Sequence, residues 1–359
     1  MSVARQLAGG QERAGAEPGK HNENRFLYIG SSRPLDRRLV EAAGLPFEAI
    51  DVGGLRGMGA RALLNATKLP AGLATVVRLV RRFDPHVVLV SGGYVAAPVV
   101  AAAALLRIPL VVLTVEIDQG WVNMAAARLA QAVTASFPPA LAHLPPDRTV
   151  LTGYPVREEF LHMDRARARA TLELDPGLPV LAVFGGSLGS HRINEALAGS
   201  LPDLLLAAQV LHVCGEADQA SLRERQAALP PTLRPRYRLF DYLPAGAMAE
   251  MMAAADLAIC RAGAAPLAEL PLAGVPAIMV PGPFSSQTTN AAYLREQGAA
   301  VVIDDDDLTS DVLHQQALSL LHDAQRTAEM AEKMRALARP DAAEAIASVV
   351  RRIAGVGRL

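Results

Sequence analysis

The segments LVSGGYVAAPVVAAAALLRIPLVVL (residues 89–113) and AICRAGAAPLAELPLAGVPAIMV (258–280) follow one plan: an apolar strand, a glycine turn, an Ala-rich helical run and a second strand introduced by Ile-Pro or Val-Pro. Neighbouring strands that run in one direction need a crossover between them, so each copy reads as a β-α-β unit of a parallel sheet. Further apolar runs at RFLYIG (25–30), PVLAVFGG (179–186), VLHVCG (210–215) and AAVVID (299–304) extend the alternation along the chain. The pattern predicts an α/β protein made of two Rossmann-like doubly wound domains. The charged, proline-interrupted stretch GYPVREEFLHMDRARARATLELDPGLP (153–179) marks the division. It gives residues 1–160 as an N-terminal domain, 161–338 as a C-terminal domain and 339–359 as a helix that packs back towards the first. Ligands of such sheets bind outside the carboxyl ends of the strands, and a pair of domains is expected to face a common cleft.

At 359 residues the chain exceeds what one core ordinarily supports, and 51% apolar residues suffice for two. Lys plus Arg (35) nearly equals Asp plus Glu (36), which argues against a nucleic-acid partner that needs a broad basic field. Cys214 and Cys260 lie in apolar runs without metal-ligand spacing and read as buried thiols in a reducing compartment. MSVARQLAGGQERAGAE at the start lacks the apolar core of a signal peptide. Val87 to Leu106 carries no charge, but Gly92-Gly93 and Pro98 interrupt it, so a strand, a turn and a buried helix explain it better than a membrane span.

Two loops carry candidate chemistry. FGGSLGS (184–190) follows a strand and opens a helix. Gly185, Gly186 and Gly189 permit a tight turn and close backbone approach, and Ser187 and Ser190 supply hydroxyls. With the amides at a helix start, this is a design for an anion. The pattern is neither a GxxxxGK[ST] nor a strict GxGxxG. In CRAGAAPLAEL (260–270), Arg261 supplies a cation, Gly263 and Ala264 admit close approach, and Glu269 falls about two turns into the next helix. That carboxylate reads either as a grip on ribose hydroxyls or as a solvent-facing helix residue. In PGPFSSQTTNAAYL (281–294), Gln287 and Asn290 lie near a helix start, where amides read sugar hydroxyls or cap the helix.

Together FGGSLGSHRIN, CRAGAAPLAELPLAGVPAIMVP and SSQTTNA, with GLRGMG (54–59), VSGGYVAAP (90–98) and GYPVREEF (153–160), resemble the MurG family of N-acetylglucosaminyltransferases over nearly the whole chain. The resemblance implies the twin-domain GT-B fold and an inverting transfer of GlcNAc from UDP-GlcNAc to an undecaprenyl-linked muramyl-pentapeptide, a step of peptidoglycan synthesis. It further implies that Ser187 and its neighbouring glycines hold the donor diphosphate and that Arg157 is a donor-site arginine. Leu243 would contact uracil through its backbone, Ala264 to Glu269 would wrap the nucleotide with Glu269 on ribose, and Gln287 would touch the GlcNAc. Gly92, Gly93 and Tyr94 match the acceptor-side glycine turn. No metal cofactor is implied, and the location implied is peripheral, on the cytoplasmic face of the cell membrane.

Departures from the family pattern are specific. Ser286 stands where His or Gln is usual, Ala265-Pro266 replaces Ser/Thr-Thr, and TVEIDQGWVN (114–123) replaces an HEQN-like motif. Glu116 or Asp118 is then the candidate base for the acceptor hydroxyl. MSVARQLAGG resembles the helix that follows the family's opening strand and G-G-T-G-G-H loop, so that strand, those glycines and the His are read as absent from the N-terminal domain. This keeps two alternatives open: a truncated or degenerate UDP-sugar-binding relative without catalysis, or another GT-B enzyme such as a glycolipid glycosyltransferase or a UDP-GlcNAc 2-epimerase.

From Val52 to Phe83 there are six cations (Arg56, Arg61, Lys68, Arg78, Arg81, Arg82) and no Asp or Glu, interleaved with leucines and valines. That composition suits an anionic membrane surface, and equally an amphipathic helix packed on its own domain. Asp304 to Asp307, at a strand end, reads as a solvated loop rather than a DxD metal site.

Overall fold

The computed structural model describes residues 1–9, 24–50, 69–186, 188–283 and 285–356. The chain forms two compact units, Met1–Pro155 with Asp341–Leu359, and Val156–Pro340.

In the first unit a parallel pair, β1 (Tyr28–Ser31) and β2 (Phe47–Ile50), accompanies a parallel four-stranded sheet of β3 (Val88–Val90), β4 (Leu110–Thr114), β5 (Ala132–Ala135) and β6 (Thr149–Leu151) in that order. One apolar cluster, including Ile50, Val76, Val80, Val90, Val99 and Val112, joins β2, the sheet and the helices Leu69–Phe83 and Ala96–Leu106. A second cluster lies under the C-terminal helix Ala342–Val356, whose Ile346, Val349 and Val350 meet Val111 and Leu113 of β4 and Val3 of the helix Ser2–Gly9. Arg351 ties the two helices by donating Nη2 to the carbonyl of Gln6 at 2.7 Å.

The second unit is one six-stranded parallel sheet. Its strands are β7 (Val180–Phe184), β8 (Gln209–Val213), β9 (Tyr237–Phe240), β10 (Leu257–Arg261), β11 (Ala277–Val280) and β12 (Ala300–Val302), in the spatial order β12-β11-β10-β7-β8-β9. Every residue of β7, β8 and β11 is buried, as in a sheet covered on both faces. The helix His191–Ala207 lays Ile193, Leu197, Leu201, Leu204 and Leu205 on this sheet. The chain winds outward from β7 to β9, then returns to β10 on the other side of β7, so the order reverses between β7 and β10. That reversal is where a doubly wound sheet opens a crevice at its carboxyl edge.

The two copies of the repeated segment close in the same way. The helix Ala96–Leu106 ends at Arg107 and the helix Pro266–Ala273 at Gly274, both in the left-handed region at φ 56° and 66°. In each copy the next residue donates back into the helix, Ile108 to Ala103 and Val275 to Leu270. The uncharged stretch 87–106 is thus β3 and a half-buried helix, and no described helix is long and apolar enough to cross a membrane.

Candidate active site

Gly185, Gly186 and Gly189 follow β7, and Arg261, Gly263 and Ala264 lie at and after the end of β10, at the carboxyl edge of the second unit and on both sides of the point where the strand order reverses. After β7 the chain bends through Gly185 and Gly186, the latter at φ 92°, to Gly189 at φ 78°. Close packing dictates Gly185 and Gly189. A Cβ on Gly189 would stand 1.9 Å from the carbonyl oxygen of Cys214, and one on Gly185 2.3 Å from the amide nitrogen of Ser190. Around Gly186 the space is open, with nothing within 4 Å of where a Cβ would sit. Ser190 caps the following helix by accepting the amide of Ile193 at 3.5 Å. Ser187 lies outside the described residues.

A buried polar chain supports the bend from beneath. Asn194 donates Nδ2 to the carbonyl of Cys214 at 2.8 Å and to Asp218 Oδ2 at 2.7 Å, which leaves its Oδ1 facing His212 Nε2 at 2.9 Å. The Tyr237 hydroxyl meets His212 Nδ1 at 2.9 Å. Since Asn194 Oδ1 only accepts, the His212 proton sits on Nε2 and Nδ1 accepts from tyrosine. Burial holds the His212 pKa down to about 3, with Asp218 opposing weakly, so the ring is neutral. Burial works to raise the Asp218 carboxyl, but hydrogen bonds from Asn194 and from exposed His191, at 2.9 Å, hold it below its usual range.

Across the crevice, β10 delivers Arg261. Its side chain is not a loose cation. Nε donates to Ser190 Oγ at 2.9 Å, and Nη1 reaches the carbonyls of Val280 and Pro281 at 3.3 and 3.2 Å and the Asp305 carboxylate. The expectation of a solvated loop at 304–307 is corrected at Asp305, which also pairs with Arg192 Nε at 3.1 Å.

Gly263 and Ala264 are partly exposed at the mouth of this turn. Glu269 lies in the first turn of the helix Pro266–Ala273, not two turns in, because the helix starts at Pro266. It is 4% exposed rather than solvent-facing, and its Oε1 accepts from Arg157 Nη2 at 3.0 Å. Burial pushes its carboxyl above the ordinary range, with Arg157 opposing. Gln287 is half-buried and its Oε1 accepts the Gly282 amide at 2.7 Å. Asn290 is wholly buried and donates Nδ2 to the Ala262 carbonyl at 2.9 Å, an anchor for the end of β10. Leu243 follows β9, partly exposed, beside exposed Tyr242.

In the first unit, Gly92 and Gly93 turn the chain after β3 at φ 103° and 80°, and Tyr94 beside them is 38% exposed. Glu116 and Asp118 follow the adjacent strand β4, both half-exposed. Sequence reasoning missed Asn123, which is 8% exposed and so close to Gly92 that a Cβ there would sit 2.9 Å from its amide. Asn123 donates to Gln119 Oε1 at 3.3 Å, and Gln119 donates to the carbonyls of Glu116 and Ile117, so the pair shapes the loop that carries both carboxylates. Only its place at the end of the departing motif TVEIDQGWVN marked it in the sequence.

The apolar stripe of the helix Leu69–Phe83 faces its own domain: Val76 and Val80 are core, and Leu73, Val77 and Leu79 pack on it. This removes those side chains from a lipid-facing reading and leaves Arg78, Arg81 and Arg82 exposed. Lys68, Arg56, Arg61 and the GLRGMG motif lie outside the described residues. Cys214 and Cys260 are free and buried. Among the described residues no cluster of three His, Cys, Asp or Glu is placed to hold a metal ion.

Residues 19–135 match the glycosyltransferase family 28 N-terminal domain, and residues 180–346 its C-terminal domain. A UDP-N-acetylglucosamine--N-acetylmuramyl-(pentapeptide) pyrophosphoryl-undecaprenol N-acetylglucosamine transferase of a Roseiflexus species is 37% identical, over 94% of this chain and 85% of the relative. The enzyme of the same name from Bacillus licheniformis is 32% identical over 93% and 91%. Among solved structures, MurG of Acinetobacter baumannii superposes with a TM-score of 0.76 at 28% identity, over 98% of this chain and 95% of that one. A UDP-GlcNAc 2-epimerase of Neisseria meningitidis shares the fold, with a TM-score of 0.68 at 11% identity. Two parallel-sheet units of the GT-B kind, the glycine bend at the strand reversal, and identity sustained over 94% of the chain lead to one assignment: the chain belongs to the MurG family of glycosyltransferases.

Proposed function

We propose that the chain transfers GlcNAc from UDP-GlcNAc to the 4-hydroxyl of an undecaprenyl-diphosphate-linked MurNAc-pentapeptide, with inversion at C1, in peptidoglycan synthesis. The glycine bend at 185–190 carries the reading. Open space at Gly186, free approach to the backbone and the start of a capped helix suit a diphosphate whose negative charge grows as it leaves. In this reading Gly185, Gly186, Ser187 and Gly189 hold the diphosphate, Gly263 and Ala264 approach it from the opposite loop, and Leu243 lies against uracil. Glu269, held by Arg157, accepts the ribose hydroxyls, and Gln287 meets the sugar. Arg261 and Asn290 serve by fixing the end of β10, since the Arg261 guanidinium and Asn290 Nδ2 are engaged by protein partners.

The acceptor oxygen forms a bond to C1 while the bond from C1 to the β-phosphate oxygen breaks, and UDP departs with the electron pair. The acceptor proton passes to a carboxylate after β4, Glu116 or Asp118, with Gly92, Gly93 and Tyr94 shaping the acceptor side. The exposed arginines of the helix Leu69–Phe83 support a peripheral seat on an anionic membrane, on its cytoplasmic face, where the lipid-linked acceptor is held. The test is incubation with labelled UDP-GlcNAc and a short-prenyl MurNAc-pentapeptide diphosphate, with diacylglycerol as a rival acceptor. Labelled disaccharide product and released UDP are expected. UDP bound without sugar transfer, or label passed to diacylglycerol, overturns the reading.

A further inference from the structure

The run Asp304–Asp307 looks in sequence like solvated loop, yet one of its members closes a network at the carboxyl edge of the second unit. Asp305 follows β12. Its Oδ1 accepts from Arg261 Nη1, its Oδ2 lies 3.1 Å from Arg192 Nε, and its carbonyl accepts from Arg192 Nη2. Arg261 passes the constraint on, because its Nε donates to the same Ser190 Oγ that caps the helix after the glycine bend, and its Nη1 also holds the carbonyls that end β11. Arg192 lies two residues beyond Ser190 in that helix. The side chains of Arg261 and Asp305 are 15% and 23% exposed, so these contacts are shielded enough to orient one another.

We propose that Asp305 is a positioning residue for the donor diphosphate: through Arg261 and Arg192 it fixes Ser190, and with it the helix start and the backbone amides of the bend. This rests on the donor-site reading above. Two effects of removing the carboxylate have opposite signs. Loss of a negative charge beside an anion site would tighten UDP binding by Coulomb's law, whereas loss of the anchor would loosen the bend and weaken it. The network has three charged partners and several directed hydrogen bonds, so the positioning effect dominates.

The experiment compares Asp305→Asn, Asp305→Glu and the exposed neighbour Asp306→Asn with wild type, by calorimetric titration with UDP, steady-state transfer kinetics and hydrogen exchange of the amides at 188–194. Asp305→Asn is expected to bind UDP about tenfold more weakly and to raise KM for UDP-GlcNAc in proportion, on the scale of one charge-assisted hydrogen bond. At saturating donor, kcat should stay within about threefold, because the bend re-forms around bound substrate. Its 188–194 amides exchange faster, Asp305→Glu recovers most of the loss, and Asp306→Asn resembles wild type. UDP affinity equal to or above wild type in Asp305→Asn, or unchanged exchange at 188–194, overturns the inference. Should Asp305→Asn not fold, Arg192→Gln removes the outer ion pair and the hydrogen bond to the Asp305 carbonyl while leaving Arg261 in place, and is judged by the same exchange and affinity. Wild type that binds no UDP defeats the donor-site reading and this inference together. Wild type that binds UDP beside an unaffected Asp305→Asn defeats this inference alone.

Discussion

Arg157 Nη2 lies 3.0 Å from Glu269 Oε1 and joins the first residues of the second unit to a helix 112 positions later. The carboxylate is nearly sealed, with its side chain 6% exposed, while the guanidinium is half-exposed and rests over the Phe160 ring at 4.8 Å. Burial raises the Glu269 carboxyl above its unfolded value despite Arg157, so the native state holds this proton more firmly than the unfolded chain does. The stability from the group is complete below its unfolded pKa and is lost as pH rises through the higher folded value. Arg157→Ala removes the opposing charge and should deepen that loss, costing about 1–3 kcal/mol at neutral pH, discounted from a fully buried pair because Arg157 is half in water. Glu269→Gln should erase this part of the pH dependence. Urea unfolding from acid to neutral pH reads both, and profiles for Arg157→Ala and wild type that run parallel would refute the coupling.

Gly189 and Gly186 have similar positive φ values but opposite surroundings, and this separates folding from binding. In Gly189→Ala the new methyl would meet the Cys214 carbonyl at 1.9 Å, backbone against backbone, so the loss of stability is expected to reach about 3 kcal/mol or more. Gly186→Ala meets no atom and should cost only about 1 kcal/mol for its left-handed backbone. Its methyl enters the space assigned to the diphosphate, so UDP affinity should fall well beyond what the stability loss explains. Chemical denaturation and titration with UDP measure the two effects. Equal destabilisation by both variants would contradict this division of roles.

The sequence displayed the strands that are continuous apolar runs, because a parallel sheet buried on both faces needs unbroken apolar text, as in VLAVF of β7 and LAICR of β10. It did not display β2 (FEAI), β5 (AVTA), β6 (TVL) or β9 (YRLF), which are short and take their state from neighbours in the sheet. In the site, glycine spacing exposed the bend, since a positive φ and a close approach leave few other choices of residue. The partners of Arg261, Asn290 and Asp305 stayed hidden. A cation, an amide and an acid look alike in sequence whether they face a ligand or each other, and their contacts span up to 113 residues of chain.

His212 gives a separate handle on acid stability. Its folded pKa, near 3, lies far below the unfolded value of 6.5. Stability from the neutral, hydrogen-bonded ring is therefore present above pH 6.5 and is lost as pH falls towards the folded value, at about 1.4 kcal/mol per pH unit within that window. Wild type should lose roughly 3 kcal/mol from this group between about pH 6.5 and 4.5. His212→Gln is expected to be less stable at neutral pH, because Tyr237 and Asn194 lose a shaped partner, yet to show a shallower acid slope by about one proton. Denaturant titrations at several pH values decide it, and identical slopes for the two proteins would show that the ring titrates freely in the native state.

Arg78, Arg81 and Arg82 are exposed on a helix whose apolar side is already buried in its own domain, so any membrane contribution from this helix is electrostatic. At about 1 kcal/mol per cation near an anionic surface, replacing all three by Gln should weaken binding to phosphatidylglycerol-rich vesicles roughly a hundredfold. The melting temperature should barely move, since Val76 and Val80 keep their contacts. Wild-type binding should weaken steeply with salt, because screening shortens the reach of each charge, and the triple variant should lose most of that salt dependence. Vesicle co-sedimentation at low and physiological salt measures it. Binding that ignores both salt and the three substitutions would place the membrane contact on another surface of the protein.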